Sequence, residues 1–405
     1  MTAYPSRIAV DDAIALIRET AHAQRADTET LALSRAGGRV LADAVRAPID
    51  LPSFDNSRMD GVAFAHASLA AGKPTWLRLV GAQYAGVAEG LQVGPGECIR
   101  ITTGAPLPPG TDTVAIREDV VERDGGVDVP GGLVRGADVR RIGEDVVAGT
   151  EVLRAGQVLT PARIGLAAAL GVPALTVSRR PTVAVFTTGD ELVEPGLPLL
   201  PGQIYNSNRE LLMGLLRAEG LEPTAWPTLP DDPERMQVML ADAASAFDVV
   251  ITSGGVSAGQ KDHLPGLLEA HGRVAFWKVR MKPGMPVLFG VWDRAVFLCL
   301  PGNPVSTLAT FLTLGRALLD GLQGRDDPRP TWQAKLGAAW RKEHARLEFL
   351  RGRLAHNGAG GLRVMPHAAD ASHQLRAAAD SNALIVLPEG LRDYAEGDMV
   401  DVLTY

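Results

Sequence analysis

Three short loops carry the residue types that bind phosphate groups and divalent cations in proteins. Each follows an apolar run of the kind that forms a buried strand: TTGDE at 187–191, SGGVS at 253–257 and PGNP at 301–304. Glycine lets backbone N–H groups approach an anion closely, hydroxyl groups add donors, and carboxylates supply the oxygen ligands that Mg²⁺ prefers. Because ligands of an open α/β sheet bind beyond the carboxyl ends of its strands, the three loops together indicate a phosphate or nucleotide site.

The residues that such a site would use fall into two groups. The candidate phosphate-binding residues are Thr188, Gly189, Ser253, Gly254, Gly255, Pro301, Asn303 and Pro304. The candidate carboxylates are Glu191 and Asp262, which lie in or just after two of the loops. Taken singly, each loop is more typical of a tight turn or a helix cap, so the prediction depends on all three meeting at one edge of a sheet.

Lysine is scarce in this chain: six of the 40 basic residues are Lys, and three of those six lie between positions 261 and 282. Lys278 and Lys282 stand four positions apart in FWKVRMKPGMP. If this segment is extended, both side chains and that of Arg280 point to the same side. Such a cationic spot suits a small oxyanion, whereas the alternative is a solvated strand end. Lys261 is interpreted as a solvated loop residue.

Two polar loops nearer the N-terminus have the composition of functional loops. PIDLPSFDNSRMDG spans 48–61 and TTGAP spans 102–106. Long structured loops inside a compact domain are often functional. The alternative is plain turn chemistry, in which Asp60–Gly61 completes an Asx-type turn.

The order of the predicted elements indicates a mixed α/β protein of several domains. Strand-like apolar runs alternate with helices over 179–325, which is the pattern of a doubly wound α/β domain. Short apolar pieces broken by Gly and Pro predict a small β-rich domain before it. Turn signals and strand-like pieces predict a small β-barrel or sandwich over 330–405.

Composition narrows the classes of function. The 40 basic and 47 acidic residues give a net charge of −7, which argues against nucleic-acid and anionic-membrane binding. The two cysteines, Cys98 and Cys299, lie far apart and indicate a reduced cytoplasmic setting. No signal segment and no uncharged apolar run of about 18 residues is found, so no membrane span is expected. The eight His show no HxxxH spacing, which argues against a His-based zinc site.

Nine stretches, taken in order, match the motifs of one known family. They are GRVLA (38–42), APIDLPSFDNSRMDGVAF (47–64), IRITTGAPLPPGTDTV (99–114), RRIGED (140–145), VAVFTTGDEL (183–192), ITSGGVSAGQKD (251–262), FWKVRMKPGMPVLFG (276–290), LPGNPVS (300–306) and SNALIVLPEG (381–390). With them, the chain resembles the molybdopterin molybdenumtransferase (MoeA) family, which includes the gephyrin E domain. The stretches extend over nearly the whole chain, and their order makes the resemblance specific.

The resemblance implies a fold, a reaction and an assembly. The implied fold has a MogA-like doubly wound domain at 179–325, an inserted β-rich domain at 51–138 and a C-terminal β-barrel at 330–405. Residues 1–50 and 139–178 would form an elongated N-terminal domain that links and dimerises the subunits. The implied reaction inserts molybdenum from molybdate into adenylylated molybdopterin, with Mg²⁺-dependent release of AMP, and the implied assembly is a homodimer.

The resemblance also implies roles for individual residues. The implied catalytic residues are Asp60, Thr103, Glu191, Asp262, Lys278 and Lys282. The implied Mg²⁺ ligands are Glu191, Asp231 and Asp262, with Asp232 as the alternative to Asp231. Arg140 and Arg141 fall at the RRIGED motif, and Arg351 and Ser372 align with an anion site in the C-terminal region. Val62 and Phe64 depart from the usual family residues, a change that we expect to affect packing rather than chemistry.

The same resemblance implies a cytoplasmic enzyme whose partners include a molybdopterin adenylyltransferase and molybdoenzyme maturation factors, with no nucleic acid and no membrane. Two other functions stay open. One is a non-catalytic scaffold that binds a peptide, and the complete set of carboxylates and lysines argues against it. The other is a related α/β enzyme, such as a molybdopterin adenylyltransferase or a CinA-type pyrophosphatase, which the NSRMDG loop and the C-terminal domain disfavour.

Overall fold

A seven-stranded sheet forms the centre of the α/β domain in the computed structural model, which describes residues 4–257, 259, 261–358, 360–369 and 371–405. Its central strands are buried along their whole length, as apolar strands covered on both faces should be. Across the sheet the strands lie in the order Ser6–Ile8, Arg273–Val279, Leu288–Trp292, Ala295–Leu300, Val249–Ser253, Val183–Thr187 and Thr224–Ala225.

Helices cover both faces of this sheet. Successive residues of one strand enter different apolar clusters: Val183 and Val185 enter the first, and Ala184 and Phe186 enter the second. The helices that pack on the first face are Val10–Ala23, Ser207–Ala218 and Pro304–Leu322, and those on the second are Pro233–Ala246 and Leu264–His271. The doubly wound class that the sequence predicted is therefore confirmed.

The helix Pro304–Leu322 begins at the PGNP loop and contains a π-helical turn at Phe311–Gly315. Within the described ranges it is the one helix whose length and apolar content would suit a membrane span. However, 78% of its most apolar window is buried inside the protein. The helix shares a core cluster with Phe349 and Leu384 of the C-terminal domain. It is thus a core helix that joins two domains.

The first residues of the chain lie in the α/β domain, which differs from the predicted assignment of residues 1–50 to the linking domain. Ser6–Ile8 pairs in parallel with the edge strand Arg273–Val279. The helix Val10–Ala23 follows, and its buried face joins the first core cluster of the sheet. The apolar side chains of this amphipathic helix, among them Ala13 and Ile17, need an apolar surface, and they find it on the first face of the sheet.

The linking domain is built from three antiparallel ribbons of two strands each. They are Thr28–Ala32 with Ala174–Ser178, Val45–Arg46 with Glu151–Leu153, and Asn56–Ser57 with Val139–Arg140. The helix Pro161–Ala169 packs beside them, with Thr160 as its N-cap. A small core centred on Leu41, Leu175 and Val177 holds the unit together.

The inserted domain contains a six-stranded sheet. Its strands lie in the order Thr113–Ile116, Gly61–Phe64, Glu97–Ile101, Thr75–Gln83, Gly126–Val129 and Val121–Arg123. Val62 and Phe64 are buried in one core cluster of this sheet, so the two departures from the family pattern are packing residues. Gly61 is required by close packing, because a Cβ there would lie 1.9 Å from the carbonyl oxygen of Ala115.

The C-terminal domain is a closed five-stranded barrel, as the sequence predicted. Its strands follow one another in the order Leu347–His356, Leu362–Pro366, Trp332–Leu336, Met399–Thr404 and Ala383–Leu387, and the last pairs with the first. One short strand of the α/β domain, Met281–Lys282, pairs in parallel with the barrel strand that contains Leu347 and Glu348. This pairing attaches the barrel to the α/β domain.

The remaining elements are short. The two-stranded pairs are Leu192–Val193 with Ile204–Tyr205 and Trp340–Lys342 with Arg392–Tyr394. The short helices are Leu33–Arg35, His66–Ser68, Arg117–Asp119 and Leu375–Ala379.

Candidate functional site

A cavity of about 560 Å³ lies beyond the carboxyl ends of the central strands. The strands are in parallel register there, with Thr187 opposite Ser253 and Ser253 opposite Leu300, so the loops that follow them meet. Eleven residues that the sequence or the resemblance singled out line this cavity: Thr188, Gly189, Glu191, Asp231, Ser253, Gly254, Gly255, Asp262, Pro301, Asn303 and Pro304. The three predicted loops thus form one site.

The SGGVS loop supplies the floor of the cavity because glycine permits its backbone path. Gly254 has a φ of +97° and its N–H donates to the carbonyl oxygen of Leu300 at 3.0 Å. A Cβ at this position would lie 2.4 Å from Oγ1 of Thr188. The loop therefore presses its backbone against Thr188, which leaves the N–H of Gly255 and the Thr188 hydroxyl close together at a position suited to a phosphate.

Replacing Gly254 by Ala is expected to weaken the binding of AMP at least tenfold and to lower the free energy of unfolding by about 1–3 kcal/mol. The reason is that alanine is strained at this positive φ and its Cβ collides with Thr188. Isothermal titration calorimetry and urea unfolding measure the two effects.

The control for this prediction is Gly266→Ala. Gly266 lies in the helix Leu264–His271, and a Cβ there would meet nothing within 4 Å. Alanine favours a helix interior over glycine by about 0.5–1 kcal/mol, so this variant should be slightly more stable and should bind AMP normally. Equal AMP affinity in the two variants would contradict a role for the Gly254 turn.

The three predicted metal ligands line the cavity, and two of them have partners within the protein. Oδ2 of Asp231 lies 2.8 Å from Nζ of Lys261, and Oδ2 of Asp262 accepts from the backbone N–H of Gly259 at 2.7 Å. Among the described residues, no three His, Cys, Asp or Glu side chains lie close enough together to hold a metal ion.

The chemistry of these residues nevertheless fits Mg²⁺. Carboxylate oxygens are its preferred protein ligands, and it commonly binds through one or two of them while substrate phosphates complete its coordination. Asp231 and Asp232 differ here: Asp231 lines the cavity, whereas Asp232 caps the helix Pro233–Ala246 by accepting from the N–H groups of Glu234 and Arg235. Asp231 is therefore the one of the two that a bound cation could reach.

Several cavity residues were missed by the sequence reasoning. Nδ2 of Asn208 donates to Oγ of Ser253 at 2.8 Å and to the carbonyl oxygen of Gly302 at 2.6 Å, so it ties two of the predicted loops together. Nδ2 of Asn206 donates to Oγ1 of Thr187 at 2.8 Å, and its Oδ1 caps the helix Ser207–Ala218. The signal was the sequence NSN at 206–208, in which Asn206 is a recognisable N-cap of the helix that begins at Ser207. Lys261 and His373 also line the cavity.

The segment that carries Lys278, Arg280 and Lys282 does not stay extended, and the three side chains have different partners. Lys278 has a φ of +70°, and the strand ends at Val279. Nζ of Lys278 lies 4.0 Å from the centre of the Trp277 ring. Each of the other two cations pairs with its own carboxylate of the C-terminal domain, Arg280 with Glu389 and Lys282 with Glu348.

Glu348 is the buried centre of the contact between the barrel and Lys282. Its Oε1 lies 3.0 Å from both Nζ of Lys282 and Nε2 of His344, and its side chain is only 3% exposed. Burial raises the pKa of this carboxyl, but the hydrogen bonds from Lys282 and His344 outweigh burial, and the pKa lies below its ordinary 4.5. Glu348 is therefore ionised at neutral pH and neutralises the charge of Lys282.

The C-terminal domain also reaches the edge of the cavity. Oγ of Ser372 accepts from Nδ2 of Asn303 at 2.9 Å, so this residue lies directly beside a predicted phosphate-binding loop. Arg351 is buried in the barrel strand Leu347–His356, and its Nη2 donates to the carbonyl oxygen of Ala369. The guanidinium of Arg351 does not line the cavity.

Four predicted residues lie in the inserted and linking domains. Oδ1 of Asp60 accepts from the backbone N–H of Thr103 at 2.7 Å and from its hydroxyl at 2.8 Å. These hydrogen bonds, the backbone one foremost, hold the pKa of Asp60 below its ordinary value. Arg141 pairs with Asp55 at 2.6 Å, and Arg140 is exposed on the neighbouring strand. None of the four lines the cavity of its own chain.

Replacing Thr103 by Val is expected to raise the pKa of Asp60 towards its ordinary 3.8, because one of two Thr103 hydrogen bonds to the carboxylate is lost. The backbone N–H of residue 103 still donates, so the rise should be partial. The pH titration of the Asp60 carboxyl carbon by NMR measures the change. Thr102→Val is the control: Oγ1 of Thr102 accepts from the N–H of Ala85 instead, so an equal shift there would refute the assignment.

Fold and site together define a class of protein: a multidomain α/β protein whose doubly wound domain presents carboxylates and a glycine-rich loop in one cavity. Residues 8–171 match the MoeA N-terminal region (domain I and II), 184–321 match a probable molybdopterin binding domain, and 333–405 match the MoeA C-terminal region (domain IV). The chain belongs to the MoeA family.

Known relatives cover this chain almost completely. A molybdopterin molybdenumtransferase of Haemophilus influenzae is 38% identical over 93% of each chain. A molybdopterin molybdenumtransferase 2 of Mycobacterium tuberculosis is 39% identical over 92% of this chain and 94% of its own. The crystal structure of a molybdopterin biosynthesis moeA protein from Pyrococcus horikoshii matches with a TM-score of 0.84 and 27% identity, over 98% of this chain and 100% of that one. The expectations of a MoeA fold and of a transferase of molybdenum cofactor biosynthesis are confirmed.

Proposed function

We propose that this protein inserts molybdenum from molybdate into adenylylated molybdopterin and releases AMP in a Mg²⁺-dependent step. The observation that carries the proposal is the cavity in which three loops, together with Asp231 and Asp262, bring eleven predicted residues to one place, three of them carboxylates. A nucleotide pyrophosphate needs both elements of this cavity: backbone donors for its oxygens, and carboxylates for the cation that neutralises it.

Within this proposal, the residues of the cavity have three different roles: phosphate binding, metal binding and positioning of the loops. The backbone N–H of Gly255 and the hydroxyl of Thr188 hold a phosphate of the substrate. The N–H of Gly254 keeps the turn in place by donating to the carbonyl oxygen of Leu300. Glu191, Asp231 and Asp262 would hold Mg²⁺, which when bound stabilises the negative charge that develops on the leaving phosphate. The amide of Asn208 keeps Ser253 and Gly302 at a fixed separation, so the two loops stay in place around the ligand.

Molybdate would bind beside this cavity, through Lys278, Lys282, Arg351 and Ser372. Ser372 supports the proposal most directly, because it contacts Asn303 at the cavity edge. Lys282 could take part only after its ion pair with Glu348 loosens, and Arg351 only after its buried guanidinium turns away from Ala369. Binding of the dianion would therefore be coupled to rearrangement of the barrel contact.

The active form of the enzyme in this proposal is a cytoplasmic homodimer. Asp60, Thr103, Arg140 and Arg141 lie together outside the cavity of their own chain, and a second copy would bring them to it. A molybdopterin adenylyltransferase would supply the substrate, and maturation factors of molybdoenzymes would receive the product.

The proposal is tested by supplying the purified protein with adenylylated molybdopterin, molybdate and Mg²⁺. Release of AMP is measured by chromatography, and the product is measured by reconstitution of a cofactor-free molybdoenzyme. We expect AMP release that requires both Mg²⁺ and molybdate. The absence of AMP release together with a molybdoenzyme that stays inactive would refute the function, and ATP-dependent adenylylation of molybdopterin would point to the adenylyltransferase instead.

A further inference from the structure

Lys261 is a cation inside an otherwise acidic cavity. Among the cavity-lining residues that the structure describes, the acidic side chains are Glu191, Asp231 and Asp262, and Lys261 carries the one Lys or Arg charge. Three carboxylates and one ammonium sum to −2. The Nζ of Lys261 lies 2.8 Å from Oδ2 of Asp231, and Asp190 and Glu191 also contribute to the field that favours its charged form.

The two partners of this ion pair differ in mobility. The side chain of Asp231 is only 16% exposed, whereas that of Lys261 is 73% exposed. The Lys side chain is a flexible four-carbon stem, so its ammonium can move several ångströms without moving the backbone. Such a solvent-exposed pair is weak, which means that a stronger ligand for Asp231 can displace the ammonium.

The position of Lys261 conflicts with metal binding at Asp231. Its ammonium lies at hydrogen-bond distance from the carboxylate oxygen that a divalent cation would use. Asp262 is likewise engaged, by the N–H of Gly259, and no metal-binding group of three side chains exists among the described residues. Asp231 is thus neutralised by Lys261 and Asp262 is hydrogen-bonded to the backbone, an arrangement that a cation would have to replace.

We infer that Lys261 is an exchangeable counter-ion: it neutralises Asp231 in the free protein, leaves when a divalent cation binds there, and then pairs with a phosphate oxygen of the ligand. The inference deepens the proposed function and rests on its cation and phosphate site. It replaces the interpretation of Lys261 as a merely solvated loop residue. When the metal binds Asp231, the ammonium of Lys261 is released and can pair with the anionic ligand.

The exchange predicts opposite effects of Lys261→Met on two binding reactions. Mn²⁺ alone should bind the variant about two- to fivefold more tightly than the wild type, because the competing ammonium is gone. The Mn²⁺–pyrophosphate complex should bind the variant more weakly by a similar factor, because the ammonium no longer pairs with phosphate. Both affinities are measured by isothermal titration calorimetry, with the Mn²⁺ electron paramagnetic resonance signal as a second readout of free metal.

Two further variants isolate the cause. Lys73→Met removes the same charge at an exposed position of the inserted domain, so it reports the effect of net charge alone and should leave both affinities unchanged. Asp231→Asn combined with Lys261→Met should abolish the gain in Mn²⁺ affinity, because the freed ligand is absent. The difference between Lys261→Met and wild type should also shrink at high salt, since the pair is exposed.

The outcomes separate this inference from the proposed function. Equal affinities for both probes in wild type and Lys261→Met would overturn the inference, and so would a variant that binds Mn²⁺ alone more weakly. The same gain in Lys73→Met would overturn it too, by assigning the effect to net charge. Opposite effects on the two probes, seen in a protein that releases no AMP, would support the inference while the proposed function fails.

Discussion

Asp262→Asn is expected to slow AMP release about 100- to 1000-fold, which corresponds to roughly 3–4 kcal/mol of lost transition-state stabilisation. The carboxylate of Asp262 lines the cavity and is one of the three proposed ligands of Mg²⁺. Asparagine keeps the size of the side chain and its oxygen can still accept from the N–H of Gly259, so the loop should be preserved. The variant therefore removes charge while keeping the shape. The rate of AMP release at saturating Mg²⁺ measures the effect.

The matched control is Asp232→Asn, the same substitution 30 positions earlier in the chain. Asp232 caps the helix Pro233–Ala246 through its Oδ1, and asparagine is an equally good N-cap. We therefore expect little change in either stability or AMP release. Full activity in Asp262→Asn would remove this residue from the proposed site, and a large loss in Asp232→Asn would mean that the cation contacts Asp232 rather than Asp231.

Replacement of Glu348 by Ala is expected to lower the free energy of unfolding by about 2–3 kcal/mol at neutral pH. The carboxylate is buried and accepts from both Lys282 and His344, and its removal leaves these two groups without their common partner. The loss should fall below that of a fully buried ion pair, because the side chain of Lys282 is 37% exposed and can be solvated. Urea unfolding of the whole chain measures the change.

The pH dependence of Glu348→Gln gives an independent check. The pKa of Glu348 is lower in the folded protein than its ordinary 4.5, so its contribution to stability is fully present above that ordinary value. The contribution disappears as the pH falls through the lower, folded-state pKa. The difference in unfolding free energy between wild type and Glu348→Gln should therefore be constant near neutral pH and should shrink under acidic conditions.

Glu343→Ala is the control for the stability prediction. Glu343 lies in the same domain and contacts Arg341 at 3.8 Å, but its side chain is 77% exposed. A surface pair of this kind contributes about 0–1 kcal/mol, so the variant should unfold almost like the wild type. Similar losses in Glu343→Ala and Glu348→Ala would show that burial of the Lys282 contact is not what stabilises the domain junction.

Local pattern was sufficient for the fold class and for the three loops that meet at the cavity, whereas Asp231 came from the family resemblance. Continuous apolar runs such as Val183–Thr187 can be stable only as strands covered on both faces, and alternation with helices then leaves few topologies. Because parallel strands end at the same edge, the loops at Thr188, Ser253 and Pro301 had to meet. The two glycines of this turn, Gly254 and Gly255, both have a positive φ, which is a backbone conformation that glycine adopts more readily than other residues.

Contacts between distant segments could not be derived in this way. Lys282 was expected to face the same spot as Lys278, yet its register partner is Glu348, 66 positions further along the chain. Lys278, near the end of the strand Arg273–Val279, has a positive φ, and nothing in a spacing of four residues signals that backbone conformation. Local spacing likewise could not predict the pairing of Ser6–Ile8, because its partner strand lies more than 260 positions away.

The sequence by itself determined which residue types stand at the ends of the central strands, because hydrophobic periodicity and glycine placement are local properties of the chain. Only the tertiary structure decided the partner of each charge: Asp231 for Lys261, Glu348 for Lys282 and Thr103 for Asp60. The physical reason is that an ion pair depends on a separation of a few ångströms in space. That separation is set by how whole domains pack, and it leaves no trace in local spacing.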